Sequence, residues 1–253
     1  MEGRSEFITR PKQSRPVRVA DKIKQWVVER DLKQGDKLPN EAAMIELFSV
    51  SKGTVREAMR LLEAQGLIVT RTGPGGGSFV NMVSAERARS LLANYFYFQD
   101  LSISDIYQMR KTLEPELAAS LAGKLTDVQL DELQFLAERH PEPAGSPEEE
   151  MEQHISSLAF HARLSEFSGN RLLGFVIGFM ARILTDLTVY RRLYDPPSAE
   201  LWQRGREHQL ELVLALRDGD SDKARAIMGS HMKGAEKIMI AREAQLMRNF
   251  MDE

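Results

Sequence analysis

The most constraining feature of this chain is a run of five residues, Gly73-Pro74-Gly75-Gly76-Gly77. Such a run can be neither helix nor regular strand, because glycine loses too much backbone freedom there and proline lacks an amide hydrogen. β-like runs flank it, Leu67-Ile68-Val69-Thr70 before and Ser78-Phe79-Val80-Asn81-Met82 after. Two short strands around a glycine-rich tip predict a hairpin. Upstream, the pattern is helical from about Val17 to Arg30, with Val19, Ile23, Trp26 and Val27 on one face. Asn40 is placed to cap a second helix, with Glu41 in its positive first turn and Ala43, Met44, Leu47 and Phe48 as an inward stripe. Ser51 caps a third helix to about Gln65, with Val55, Met59 and Leu62 on its buried face and Gly66 as its stop.

After Val83 the β-like runs disappear and long amphipathic helices take over. Ser84 is expected to cap one helix to about Phe98, and Ser104 another to about Ala122. Thr126-Asp127-Val128-Gln129 is a capping box that opens a third. Residues 140–149 read as a loop, and helices fit 150–167, 171–193, 198–218 and 220–249. The stripe Phe175, Phe179 and Ile183 reads as bundle core or dimer contact. The fold class is therefore mainly α: a flexible arm at 1–15, a compact domain at 16–82 and an all-α bundle at 83–253. Two domains also suit 253 residues, at ~150 residues per domain.

Composition narrows the function classes. The absence of cysteine excludes a disulfide framework, a thiolate zinc site and a cysteine nucleophile. The first thirty residues lack the apolar core of a signal peptide, and no uninterrupted apolar run approaches the ~18 residues of a membrane span. A soluble, cytoplasmic protein without a membrane partner is expected. Residues 1–83 carry 14 Lys and Arg against 10 Asp and Glu, a formal +4, while the remainder carries 20 against 27, a formal −7. A basic front on an acidic body favours an anionic partner for the front.

Two short helices joined by a tight link, the second opening with small and basic residues, form the helix-turn-helix pattern. Its second helix enters the major groove of DNA with its N-terminal residues on the base edges. Those residues here are Ser51, Lys52, Gly53, Thr54 and Arg56. Arg56 lies off the buried face and can hold a guanine edge or a phosphate, and Lys52 and Thr54 suit either contact. The helix N-terminus itself favours a phosphate. The glycines of the hairpin tip admit close approach of DNA, since no Cβ intrudes. Three helices followed by such a hairpin make a winged helix.

The segments Leu38-Pro39-Asn40-Glu41, Val50-Ser51-Lys52-Gly53-Thr54-Val55-Arg56-Glu57-Ala58 and Leu61-Leu62-Glu63-Ala64-Gln65-Gly66-Leu67-Ile68 resemble the GntR family of bacterial transcription regulators. The resemblance implies a homodimer on a short palindromic operator in double-stranded DNA. It carries phosphate and base contact onto Ser51, Lys52, Thr54 and Arg56, and wing contact onto Gly75, Gly76 and Gly77. There are two departures. Ala42 stands where the family usually has Arg, and Lys52 replaces an Arg and so loses the bidentate fork.

The back half resembles the helical FCD domain of the FadR-like subfamily. The matching stretches are Arg110-Lys111-Thr112-Leu113-Glu114-Pro115-Glu116-Leu117-Ala118-Ala119, Phe160-His161-Ala162-Arg163-Leu164, Ser168-Gly169-Asn170, and Ala215-Leu216-Arg217-Asp218-Gly219-Asp220 leading to His231-Met232. The resemblance implies a cavity for a small organic acid or related anion, and in many members a divalent metal such as zinc. The family's metal pattern is an Asp, a His four residues on, and two later His residues about 22 apart. His161 and His231 match it, but Ser157 and Gln209 stand at the other two places, and both are poor transition-metal ligands. His208, beside Gln209, is an additional metal candidate. Effector contacts are thus expected from Arg110, Ser157, His161, Gln209 and His231. Arg110 either anchors the acid through its fork or pairs with Glu114 one turn on.

A metal-dependent hydrolase built on His161, His208 and His231 would need a named general base. The chain has neither a His-Glu-x-x-His helix nor a Gly-x-Ser-x-Gly elbow. The reading is a ligand-responsive repressor rather than an enzyme. The alternative is a DNA-binding architectural or interaction protein with no effector.

Overall fold

The computed structural model describes residues 13–99 and 101–251. It holds two compact units, which divide after Ala88. The expected arm lies outside the described residues as far as residue 12, and its last residue, Arg15, already opens the first helix.

The first unit is built from α1 (Arg15–Glu29), α2 (Glu41–Phe48), α3 (Lys52–Ala64), β1 (Ile68–Arg71) and β2 (Gly77–Val80). Pro16 sits in the first turn of α1, where its missing N–H costs nothing. Asn40 Oδ1 accepts the Ala43 amide at 2.9 Å and caps α2. Ser49 ends that helix in the left-handed region at φ 50°, which makes the link to α3 tight. Val19, Ala20 and Ile23 of α1 and Val55, Ala58 and Leu62 of α3 bury into one core with Met44, Leu38, Ile68 and Val80. The strands pair antiparallel, Ile68 opposite Val80 and Arg71 opposite Gly77. Residues 35–38 run beside β2, with the Leu38 amide on the Ser78 carbonyl and the Val80 amide on the Asp36 carbonyl, both at 2.8 Å. This third rail seats the hairpin on the trihelical core.

The second unit is helical. α4 (Ala85–Tyr97) leads into it, followed by α5 (Ile103–Leu121), α6 (Asp127–Glu138), α7 (Pro147–Glu166), α8 (Arg171–Tyr190), α9 (Ala199–Asp218) and α10 (Ser221–Met251). The expected cap at Ser104 is corrected to Ser102. Its hydroxyl accepts the Asp105 amide at 3.1 Å while Asp105 accepts the Ser102 amide at 3.0 Å. That reciprocal pair satisfies two helix-end donors, which Ser104 cannot do from inside the first turn. Thr126 and Gln129 form the expected box on α6. Ser146 caps α7, so that helix starts three residues before its expected bound.

The bundle core gathers Ile103, Tyr107, Leu117, Leu133, Phe160, Leu164, Ile177, Leu184, Leu212 and Met232. By length and mean hydropathy α8 is apolar enough to cross a membrane, although charged residues interrupt any uninterrupted apolar run. Ile177, Met180, Ala181, Ile183 and Leu184 instead bury one of its faces in the bundle. One of its glycines is required by packing. A Cβ on Gly174 would lie 2.5 Å from the Ser165 carbonyl oxygen.

Candidate nucleic-acid interface and buried polar cavity

In the first unit, Ser51 caps α3. Its Oγ accepts the Thr54 amide at 3.4 Å and lies 2.9 Å from the Thr54 hydroxyl. Glu41, at the head of α2, gathers the two cations of α3. Arg56 Nε donates to it at 2.6 Å, and Lys52 Nζ lies 3.3 Å away. The hydrogen bond from Arg56, together with the Lys52 contact and both charges, outweighs desolvation and holds the Glu41 carboxyl below its ordinary value. Lys52 and Arg56 remain more than half exposed. Exposed pairs contribute only ~0–1 kcal/mol, so a DNA phosphate or base edge competes readily for either cation. The sequence placed Glu41 only as a favourable first-turn charge; its role as the common partner depends on how α2 packs on α3.

The wing tip is shaped by its glycines. Gly73, Gly75 and Gly77 have φ of 90°, 78° and 139°. A Cβ on Gly76 would lie 2.5 Å from the Arg71 carbonyl oxygen, whereas one on Gly75 would meet nothing within 4 Å. Gly76 is thus required by the turn itself, and Gly75 leaves an open approach. Two basic residues that sequence reasoning missed stand beside the tip. The Arg71 guanidinium lies 4.8 Å and the Lys37 ammonium 5.8 Å from the centre of the Phe79 ring. The available signal was Arg71 at the end of a β-run. Lys37 joins it only because residues 35–38 lie along β2.

In the second unit, α5, α6, α7, α9 and α10 line a cavity of mixed polar and apolar wall. It offers about 70 Å³ to the centres of water-sized spheres. Of the two roles the sequence left to Arg110, the pair with Glu114 is formed, at 2.5 Å through Nε. Both side chains are 1% exposed. The second Glu114 oxygen takes His161 Nδ1 at 2.6 Å, and His161 Nε2 faces His231 Nε2 at 3.1 Å. Burial would raise the Glu114 carboxyl, but the charges and hydrogen bonds of Arg110 and His161 outweigh it and hold the group well below the carboxylate range. A carboxylate only accepts, so His161 Nδ1 carries hydrogen and a single hydrogen lies between the two Nε2 atoms. Burial, reinforced by His161 and Arg110, keeps His231 well below its ordinary value. Gln209 Nε2 donates to Ser157 Oγ at 3.0 Å. The cavity thus brings together all five residues expected to contact an effector.

These donors do not fit a metal centre. Among the described residues no three His, Asp or Glu groups converge as a metal site would require. Gln209 spends its amide nitrogen on Ser157 Oγ, and neither residue is an anionic ligand. His208 Nδ1 is bonded to the Arg204 carbonyl at 2.5 Å. The void that His208 walls with His161 and His231 has no room for a water-sized sphere.

Five residues that line the cavity each hold a side-chain atom buried behind its surface with no protein hydrogen-bond partner: Arg110 Nη2, His140 Nε2, Gln153 Oε1, Ser156 Oγ and Arg206 Nε. Sequence reasoning missed His140, Gln153, Ser156 and Arg206, because helical spacing alone does not show which turn faces the cavity. Trp202 closes the wall by donating its indole N–H to the His140 carbonyl at 3.0 Å.

Comparison with known proteins agrees with both halves. The model for bacterial regulatory proteins of the gntR family matches residues 16–80, and the FCD domain model matches residues 105–234. The chain is 26% identical over 211 residues to the HTH-type transcriptional regulator LutR of Bacillus subtilis (strain 168), covering 83% of this chain and 94% of that protein. It is 28% identical over 221 residues to the HTH-type transcriptional repressor NanR of Enterobacter sp. (strain 638), covering 85% of this chain and 81% of that one. The fold matches a solved structure of Streptococcus agalactiae GntR with a TM-score of 0.60 at 23% identity, over 88% of this chain and 99% of that one. A winged helix whose third helix bears the cations, followed by a helical domain around a cavity, therefore places the chain in the GntR family of DNA-binding transcriptional regulators, with an FCD domain.

Proposed function

We propose that this regulator is a repressor released by a small organic acid or related anion. A homodimer holds a palindromic operator, with Ser51, Lys52, Thr54 and Arg56 on bases and phosphates and the wing glycines Gly75, Gly76 and Gly77 against the backbone. The effector enters the cavity between α5, α7, α9 and α10, where Arg110, Ser157, His161, Gln209 and His231 stand. It shifts the population of states that fit the operator by binding one of them better. The sign of regulation follows the similarity to NanR, a named repressor. The carrying observation is the cavity itself, whose wall brings together Arg110, Ser157, His161, Gln209 and His231.

The donor set supports an effector site without a metal. The test is thermal unfolding of the full chain against a panel of small organic and sugar acids, with and without a chelator. A compound at a hundred times its Kd adds ~2.7 kcal/mol of stability. The same compound is expected to release operator DNA in an anisotropy titration. A panel in which no compound shifts the midpoint or releases DNA would favour the architectural reading instead.

A further inference from the structure

Glu41 sets a negative charge beside the two cations of α3 that are placed to meet DNA. Ala42 follows it, so the head of α2 brings a carboxylate to that surface and no cation of its own. Nearby ion pairs are local: Lys24 with Asp21, Lys33 with Asp31 and Arg60 with Glu57 join residues no more than three apart. The pair of Arg56 with Glu41 instead spans 15 residues and crosses from one helix to the other. Its place is set by the core beneath, where Met44 of α2 and Val55 of α3 are fully buried. A carboxylate on a surface that must meet phosphates opposes their approach. Its retention there calls for a use.

The use follows from which atoms are taken. Arg56 gives Glu41 its Nε at 2.6 Å, and its end-on edge, Nη1 and Nη2, makes no hydrogen bond among the described residues. That edge can hold the O6 and N7 atoms of a guanine. Lys52 Nζ stands farther off, at 3.3 Å, and has no fork. On an arbitrary sequence, a phosphate has to draw either cation against the pull of Glu41. On the right base, the end-on edge of Arg56 meets guanine while Nε stays on the carboxylate. Glu41 therefore opposes phosphate-only binding and leaves base reading intact. A tethered guanidinium also has less rotamer freedom to lose when it meets the base.

Resting on the reading of Arg56 as a base contact, we propose that Glu41 is a positioning residue for sequence discrimination. It holds Arg56 by Nε with the end-on edge free for a base, and its charge weakens binding to sequences that offer phosphates alone. Glu41 thus lowers affinity for DNA in general and raises the preference for the operator. Lys52 gives up its looser contact to a phosphate in either complex, so the discrimination runs through Arg56.

The test uses the full chain and a duplex that the wild-type protein selects from a random pool. Anisotropy titrations at one salt concentration give the ratio of Kd on a random-sequence duplex to Kd on the selected one. Glu41→Gln is expected to tighten binding to the random duplex and to lower the ratio ~5-fold or more, the upper end of what an exposed ion pair contributes. Glu57→Gln removes a carboxylate that faces Arg60 instead, and is expected to keep the ratio within two-fold. In an Arg56→Ala background, Glu41→Gln is expected to leave the ratio unchanged. Circular-dichroism melts confirm that each variant is folded. A Glu41→Gln ratio within two-fold of wild type overturns the proposal, whether the two duplexes bind equally weaker or equally tighter. A fall of the same size in the Arg56→Ala background overturns it too, because Glu41 would then act other than through Arg56. In both cases a loss of affinity in Arg56→Ala alone leaves the reading of α3 standing. If Arg56→Ala binds the selected duplex as wild type does, or if the wild-type chain selects no duplex, that reading fails along with this one.

Discussion

Arg56 and Lys52 share one carboxylate, Glu41, yet they are suited to different work. Arg56 has a fork that can read a guanine edge, while Lys52 has a point charge that suits a phosphate. Arg56→Ala is expected to lower operator affinity ~10–100-fold and to relax sequence preference at one position. Lys52→Ala is expected to weaken all sequences alike and to reduce the salt slope of binding by about 1. Anisotropy titrations on matched and mismatched operators at several salt concentrations separate the two. Unchanged affinity in Arg56→Ala would remove α3 from the interface. His154 supplies a residue-scale effect on stability. Burial, assisted by the charges of Arg242 and Arg110, pulls its imidazole down to about 3 in the fold. An unfolded histidine titrates near ~6.5, so between these values the unfolded chain binds more protons and stability falls as pH drops. The unfolding midpoint is expected to fall from pH 7 to pH 5, and less steeply in His154→Gln. His231 is depressed in the same direction, so the substitution flattens the profile only in part. Identical profiles would mean that His154 carries no proton linkage.

At the scale of elements, the caps and the wing turn are where local sequence and structure agree best. Asn40, Ser51, Thr126 and Ser146 each cap the helix that follows. Three of these were legible, because a short polar side chain before an apolar period has few other uses. Ser146 was hidden in a Pro-rich stretch that reads as loop. Ser104 was preferred over Ser102 although the Ser102-x-x-Asp105 spacing was present in the sequence. Asn40→Ala is expected to cost ~1 kcal/mol, read as a lower denaturation midpoint at unchanged slope. In the wing, Gly76→Ala drives a methyl into the Arg71 carbonyl, whereas Gly75→Ala meets empty space but adopts a strained positive φ. Gly76→Ala is therefore expected to be the more damaging of the two for operator affinity. The reverse order would show that the tip acts by close approach to DNA rather than by its own shape.

For the whole molecule, the chain divides its tasks between a basic front and an acidic body, +4 against −7. Operator binding should therefore weaken steeply with salt, as the front releases counterions from DNA. The body is expected to keep its midpoint when a chelator is added, since two imidazoles facing each other with a serine–glutamine pair make no closed metal site. A midpoint that drops on chelation and returns with zinc would overturn that reading. The sequence alone determined the order of elements, the family and the candidate residues of α3, because capping, helical period and glycine conformation are local properties. The family resemblance, through two separate spacings, also put Ser157 and Gln209 at places of one site. Tertiary structure decided the rest. It turned Glu41 toward α3, committed Arg110 Nε to Glu114, and gathered His140, Gln153, Ser156 and Arg206 around one cavity. The direction a side chain faces depends on which helix packs against it, and that is a property of the assembled core rather than of any stretch of chain.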